Sequence, residues 1–499
     1  MADTKKQGKV RIAIDLGASS GRVIAGVMEN GKLTLTEIHR FENPTIELPS
    51  GLYWNILGLF HEITTGLKKA IETHGENVAS IAIDTWGCDF GLFDNSGELI
   101  GPPHQYRDPR FEGMAEKMHG IMSEDEIFSL TGIKTNFYNS ALHLLALKSK
   151  DRVALSQATT LLFIPDILAY WLTGVKAVEK TIASTSQLLD AETGQWSQQV
   201  ITALGLPLRI FGKIVPPGTI LGELRPELKN ALGRCDIPFV IAPCHDTASA
   251  VAGIPLSESE PLWLSSGTWS IMGVEIKQPV RSYDALSYGF CNELGIDNSV
   301  RFLKNIAGLW LIQECKRQWE RDRLNHSFGE LTTMAADAEQ FIAFIDPDDE
   351  VFASPGNMPK KIQNYCDRTG QKVPSSIGEI LRVTTDSLAL KYKFVFERIK
   401  KLTNRDYAKL HAGGGGILNE ALCQATANAL GIEVQAGPVE ATSCGNLVTQ
   451  MIATGELSGF PAARKLIRES FESKAFLPED TETWTAAYAK FLAATGLEP

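Results

Sequence analysis

Asp246 stands between His245 and Thr247, after the apolar run 239–242 and before the small residues Ala248, Ser249 and Ala250. A carboxylate at a strand end beside a helix start is placed for general-base work. Asp and Thr also cap helices, so position alone leaves both roles open, and His245 fits a packed or capping residue as well as a ligand contact. Asp84-Thr85-Trp86-Gly87-Cys88-Asp89 ends a second apolar run, 78–83. Carboxylates bind carbohydrate hydroxyls and an indole packs on a sugar's apolar face. A buried Trp beside a turn is the alternative.

Three segments are built for anions. In Asp15-Leu16-Gly17-Ala18-Ser19-Ser20-Gly21-Arg22, small residues let backbone N–H groups approach a phosphate and the hydroxyls add donors. Ser265-Ser266-Gly267-Thr268 offers the same chemistry far along the chain. Either alone reads equally as an ordinary turn. Two of them, one per half, suit a phosphate chain gripped from two sides. Gly413-Gly414-Gly415-Gly416 lies between a strand and a helix, where backbone without Cβ atoms can lie flat on a nucleotide. A crowded structural turn is the other reading, but four glycines exceed what a turn requires. No Walker A loop, G-x-G-x-x-G, H-E-x-x-H or EF-hand pattern occurs.

These segments need elements to hold them. The run 10–14 is a short strand leading into Asp15, and 22–27 resumes as a strand. Asn30-Gly31 predicts a tight hairpin with 32–39 as its second arm. Ile56, Phe60, Ile63, Leu67 and Ile71 share one face of a helix over 55–74, opened by Asn55 and stopped by Gly75. Residues 78–83 form a buried strand, 91–100 a second hairpin about Asp94-Asn95-Ser96-Gly97, and 115–175 alternate helices with loops. In the second half, 261–264 and 270–274 are strands. A helix over 377–402 starts at the capping box Ser376…Glu379, and 410–413, 418–430 and 432–436 are strand, helix and strand. Each half opens on a strand, a small-residue turn and a returning strand, which suggests duplicated architecture without a sequence repeat. The polar stretch 256–260 sets a domain boundary near 255–261.

Composition bounds the class. A chain of 499 residues suggests two or three domains. A formal charge of −11 argues against nucleic-acid binding, which leaves a basic footprint. Residues 1–9 are polar and do not read as a signal peptide. The most apolar stretch, 161–172, contains Pro165 and Asp166 and falls short of the roughly 20 residues of a membrane span. Eight scattered cysteines with no C-x-x-C pair read as reduced thiols of a cytoplasmic protein and give a zinc site little support. Spacing leaves any cysteine pairing undecided.

Together these segments resemble the FGGY family of carbohydrate kinases. The likeness runs in order from about residue 10 to about 455. It includes Asp-Leu-Gly-Ala-Ser-Ser-Gly-Arg at 15–22, Asp-Thr-Trp-Gly-Cys-Asp-Phe at 84–90, Tyr-Arg-Asp at 106–108 and His-Asp-Thr-Ala-Ser-Ala-Val at 245–251. Leu-Ser-Ser-Gly-Thr-Trp-Ser at 264–270, Leu-Lys-Asn-Ile-Ala-Gly-Leu-Trp-Leu-Ile-Gln at 303–313 and Ala-Gly-Pro-Val-Glu-Ala at 436–441 extend it. The resemblance implies an α/β fold of two actin-like (ribonuclease H-like) domains with a central ATP/sugar cleft. The domains would be 1–254, for sugar, phosphate and the base, and 255–499, for the nucleotide.

The implied reaction is ATP-dependent phosphorylation of L-rhamnulose to L-rhamnulose 1-phosphate in cytoplasmic L-rhamnose breakdown. L-fuculose or L-xylulose is the alternative substrate, and a non-catalytic actin-fold sugar sensor the remote one. The resemblance puts Ala18, Ser19, Ser20, Gly21 and Arg22 on the ATP phosphates, with Asp15 near Mg2+. Gly267 and Thr268 would hold phosphate, and Gln313, Gly414 and Gly415 would touch the nucleotide. Gly87, His245, Asp246, Thr247 and Asn305 would line the sugar site, with Asp246 the general base. Cys88 stands where this branch more often has Val, and Cys244 where Ser is more usual. The partners expected are a small sugar and ATP, with no nucleic acid or membrane. A monomer is the default, with a dimer open.

Overall fold

The first apolar run folds as the strand Val10–Leu16, buried at every residue. Such a run fits a strand covered on both faces. It pairs antiparallel with Ser20–Glu29 on one side and parallel with Val78–Thr85 on the other. Asn30 and Gly31 both take positive φ, 51° and 76°, so the predicted hairpin turn carries the chain into Lys32–Glu42. The computed structural model describes residues 8–150 and 152–498. Most of the polar N-terminus read as lacking a signal peptide therefore lies outside the described residues.

The chain divides into two units: Met1–Pro255 with Glu275–Phe302 and Ala441–Phe471, and Leu256–Val274 with Leu303–Glu440 and Glu472–Pro499. The sequence boundary near 255–261 is therefore one of several crossings. The return at Ala441 has a packing cause. The helix Ala441–Ala453 lies against the strands Val10–Leu16 and Val78–Thr85 and crosses the helix Asp246–Gly253. Glycines at the crossing, Gly253 and Gly445, let the two backbones touch.

The first unit's main sheet runs Ile220–Glu223, Pro238–Val240, Val78–Thr85, Val10–Leu16, Ser20–Glu29, Lys32–Glu42. The helix Ile56–His74 begins at Asn55, whose Oδ1 accepts from Gly58 N, and ends at Gly75 with φ 55°. Its buried Leu59, Ile63, Leu67 and Ala70 join the core under the sheet. The helices Met114–His119, Glu124–Thr131, Ser140–Lys150 and Ile164–Thr173 fill the stretch read as helices and loops. The apolar run at 161–172 is the strand Thr160–Phe163 followed by the helix Ile164–Thr173. The second hairpin expected over 91–100 forms in short form: Phe93 bridges antiparallel to Leu99, with Ile100 N donating to Leu92 O and Asp94 N to Glu98 O. The longer partner of Phe90–Phe93 is Thr160–Phe163.

In the second unit, Leu262–Ser266 pairs antiparallel with Ser270–Ile276 and parallel with Lys409–Gly413, which pairs parallel with Glu433–Ala436. Val300–Ile306 lies beyond Ser270–Ile276 in the same sheet. The helix Ile377–Thr403 starts at the predicted capping box, with Glu379 N donating to Ser376 Oγ. Glu420–Leu430 is opened by Asn419 and stopped by Gly431, φ 73°. In chain order the first sheet runs third, second, first, fourth, sixth and fifth strand, and the second runs third, fourth, second, first, fifth, sixth and seventh. In both, the first strand lies between an antiparallel second strand and a parallel later one.

Candidate active site

Parallel register sets Asp15 directly opposite Asp84 at the ends of two central strands. Thr85 bridges to His245, which brings the start of the helix Asp246–Gly253 to the same strand ends. His245 is the N-cap residue and Asp246 the first helical residue, so the capping role weighed for Asp246 falls to its neighbour. Asp246 Oδ1 accepts from Thr247 N at 2.5 Å and Thr247 Oγ1 at 3.1 Å, and its side chain remains 33% exposed, open to a ligand. Burial, then the Asp15 charge, pushes the Asp246 carboxyl above its ordinary value, against His245 and the Thr247 donors. That shift makes it the stronger proton acceptor once ionised.

Asp84 is fully buried, with Asn446 Nδ2 donating to Oδ2 at 2.6 Å and Oδ1 left without a partner. Burial first, then Asp15, holds its carboxyl well above the usual range. Asp15 Oδ2 accepts from Ser443 Oγ at 3.0 Å and from Arg22 Nη2 at 2.6 Å. Arg22, expected on ATP phosphates, is thus paired with the expected metal residue. Among the described residues no cluster of three or more His, Cys, Asp or Glu is arranged to hold a metal unaided. The oxygen-only pair Asp15 and Asp84, with one carboxylate oxygen unsatisfied, fits a hard cation that keeps waters and phosphate oxygens, as Mg2+ does.

The turn after the first strand exposes Ala18 and Ser19. Asn43 secures it, donating from Nδ2 to Gly17 O and from N to Ser19 O. The corresponding turn of the second unit is secured alike: Leu309 N donates to Gly267 O and Trp310 N to Thr268 O. Thr268 Oγ1 donates to Gln313 Oε1 at 3.1 Å, so two residues expected at ATP meet. Gly308, φ 59°, makes this approach possible, because a Cβ there would overlap Ser270 N. Asn305 lies on the strand Val300–Ile306.

The four glycines separate on inspection. A Cβ on Gly414 would come 2.7 Å from Ser266 O, and one on Gly416 would overlap Ser266 Oγ. Those two serve a crowded turn. A Cβ on Gly415 would meet nothing within 4 Å. The expected result is that Gly416→Ala lowers the thermal midpoint. Gly415→Ala should leave it unchanged and raise the KM for ATP; an unchanged ATP KM removes Gly415 from nucleotide contact.

Around Gly87 the structure favours the plainer reading of Trp86. Its ring packs on Trp54 at 4.1 Å, and both indole Nε1 groups donate to Asp89 Oδ2, at 2.9 and 2.6 Å. Trp86 is buried scaffolding, and burial raises Asp89 to about 7. Gly87 faces the His245 ring, where an added Cβ would sit 3.4 Å from Nε2. Cys88 takes φ 73°, held by its N–H to Thr185 Oγ1 at 3.0 Å and by Ser140 Oγ donating to its carbonyl at 2.5 Å. Strain held this firmly marks a turn whose shape matters. Sequence reasoning read Asp84 for sugar hydroxyls rather than beside Asp15, and missed Ser443 and Asn446, and also Glu293 and Arg301, which flank His245.

Two α/β sheets, each with its first strand between an antiparallel second strand and a parallel later one and each with a small-residue turn after that first strand, define a duplicated actin-like (ribonuclease H-like) architecture. The N-terminal domain model of the FGGY family of carbohydrate kinases matches residues 10–253, and the C-terminal domain model residues 262–454. The chain belongs to the FGGY family of carbohydrate kinases. It is 42% identical over 479 residues to a rhamnulokinase from Bacteroides thetaiotaomicron, covering 96% of this chain and 98% of that one. A rhamnulokinase from Bacillus subtilis is 38% identical, covering 95% and 96%. The fold is that of xylulose kinase from Lactobacillus acidophilus (TM-score 0.80, 14% identity, 97% of each chain). It is equally that of Plasmodium falciparum glycerol kinase (TM-score 0.79, 16% identity, 99% of each chain).

Proposed function

We propose that this chain transfers the terminal phosphoryl group of ATP to the primary hydroxyl of L-rhamnulose, giving L-rhamnulose 1-phosphate and ADP. The carrying observation is the 42% identity to a rhamnulokinase over 479 residues, together with the carboxylate at 246. Asp246 takes the hydroxyl proton as the sugar oxygen attacks the γ-phosphorus and the bond to the bridging oxygen of ADP breaks. Phosphoryl transfer needs little covalent help, so the remaining residues position and neutralise. Gly87, His245, Thr247 and Asn305 are assigned to the sugar. Ala18, Ser19, Ser20, Gly21, Gly267, Thr268, Gln313 and Gly415 are assigned to ATP. Arg22 acts on Asp15 and through it on the phosphates. Asp15 and Asp84 would hold Mg2+, which neutralises phosphate charge when bound.

The 14–16% identity of the solved structures carries no choice of sugar, so that choice rests on the sequence relatives. Eight scattered cysteines with no C-x-x-C pair support a reducing, cytoplasmic setting. Among the described residues no helix is long and apolar enough to cross a membrane. The active species is assigned as a monomer. A coupled ADP-release assay over L-rhamnulose, L-fuculose, L-xylulose, D-xylulose, L-ribulose and glycerol should give its highest kcat/KM with L-rhamnulose. A clear preference for any other sugar overturns the substrate assignment, and no ATP turnover with any sugar would favour a sensor.

A further inference from the structure

Two charged side chains outside every motif converge on His245. Its Nδ1 lies 3.1 Å from Glu293 Oε2 and 3.2 Å from Arg301 Nη2, while its Nε2 lies 3.4 Å from Asp246 Oδ1. Arg301 Nη2 is also 3.0 Å from Glu293 Oε2. We propose that Glu293, anchored by Arg301, is a positioning residue: it accepts the Nδ1 proton of His245 and thereby presents a bare Nε2 beside Asp246. This deepens the sugar-kinase reading and rests on it for its kinetic consequence.

The backbone of His245 is already fixed. Thr181 Oγ1 accepts from His245 N at 3.2 Å, and Glu179 Oε2 accepts from Cys244 N at 3.1 Å. What remains free is the imidazole's rotation and tautomer. A guanidinium has no acceptor and can donate to Nδ1 only if that nitrogen is bare. An ionised carboxylate can accept from it only if it carries the proton. Against the effect of burial, the Arg301 guanidinium beside Glu293 holds its carboxyl below the ordinary value. Glu293 Oε2 is buried and has no other hydrogen-bond partner among the described residues, and the Nδ1–H form turns the imidazole toward it as a donor beside the guanidinium.

With Nδ1 protonated, Nε2 and the Asp246 carboxylate are two acceptors side by side. That array suits neighbouring sugar hydroxyls, one giving its proton to Asp246 and another donating to Nε2. The ion pair is a poor device for stability alone. Arg301 is fully buried, its Nη1 finds no partner, and a buried pair seldom outperforms well-packed apolar residues. Glu293 sits on the strand Cys291–Leu294, which is pinned on either side: Asn292 N donates to Gly132 O, and Leu294 N to Ser184 Oγ. A rigid strand holds the carboxylate in place.

The test uses the full chain labelled with 15N-histidine, with the His245 signal assigned by its loss in His245→Asn. The expected wild-type spectrum shows His245 as the Nδ1–H tautomer, and in Glu293→Gln that preference is lost. Glu293→Gln should also lower kcat/KM for the ketose about tenfold or more, mostly through KM, with the ATP KM unchanged. Glu293→Asp, which keeps the charge, should recover part of the loss. A wild-type His245 bearing its proton on Nε2, or a tautomer unchanged in Glu293→Gln, overturns the proposal. The tautomer reads without any sugar, so failure of the substrate assignment leaves this test standing.

Discussion

Asp246→Asn should retain ATP binding and lose turnover by about 10²–10⁴-fold, the range for removal of a general base. The amide has the carboxylate's shape and can still accept from Thr247 N and Oγ1 through its oxygen. It cannot take a proton. Stability should move the other way or not at all, because Asp246 contributes repulsion to the crowded acid group at Asp84. Removing one negative charge relieves that group. The diagnostic result is a thermal midpoint at or above the wild type, an unchanged ATP KM and a collapsed kcat. Steady-state kinetics with L-rhamnulose beside differential scanning calorimetry read all three. Turnover within a few-fold of wild type would take the base role from Asp246 and leave its carboxyl as a local helix-start contact.

How far these roles were legible depends on sequence distance. The strand–turn–strand openings, the Asn30-Gly31 hairpin and the capping box at Ser376 are local patterns, and each chain segment carries its own instruction. Asp246 and Gly87 stood out as candidates because their neighbours are distinctive. Ser443 reaching Asp15 and Asn446 reaching Asp84 span 428 and 362 residues, and nothing near either residue announces its partner. Glu293 and Arg301 are charges in short strands with no motif around them, a pattern shared with any strand edge. Asp94-Asn95-Ser96-Gly97 signals a turn whichever strand pairs afterwards, so the chain's choice of Thr160–Phe163 was invisible. Four consecutive glycines look alike in sequence, and only Ser266 above two of them separates crowding from an open face.

The crossing of Asp246–Gly253 with Ala441–Ala453 gives the second large effect, and here two physical arguments oppose each other. Helix propensity alone says that Gly445→Ala stabilises by about 1 kcal/mol. Geometry says the reverse. A Cβ on Gly445 would overlap the Ser249 carbonyl oxygen and lie 2.9 Å from Gly253 N, while one on Gly253 would overlap the Ala441 carbonyl oxygen. These are backbone atoms of two packed helices, so no rotamer change clears them and the axes must separate. The loss should exceed the roughly 1–3 kcal/mol of ordinary overpacking. It should also reach the site, because the displaced helix carries Ser443 to Asp15, Asn446 to Asp84 and Gln450 to Ser80 and the Ile12 carbonyl. Gly445→Ala should therefore lower the thermal midpoint and kcat together, where Asp246→Asn lowers kcat alone. A Gly445→Ala protein melting at or above the wild type would mean that the crossing has slack, and that the small residues there are not what holds the acid group in register.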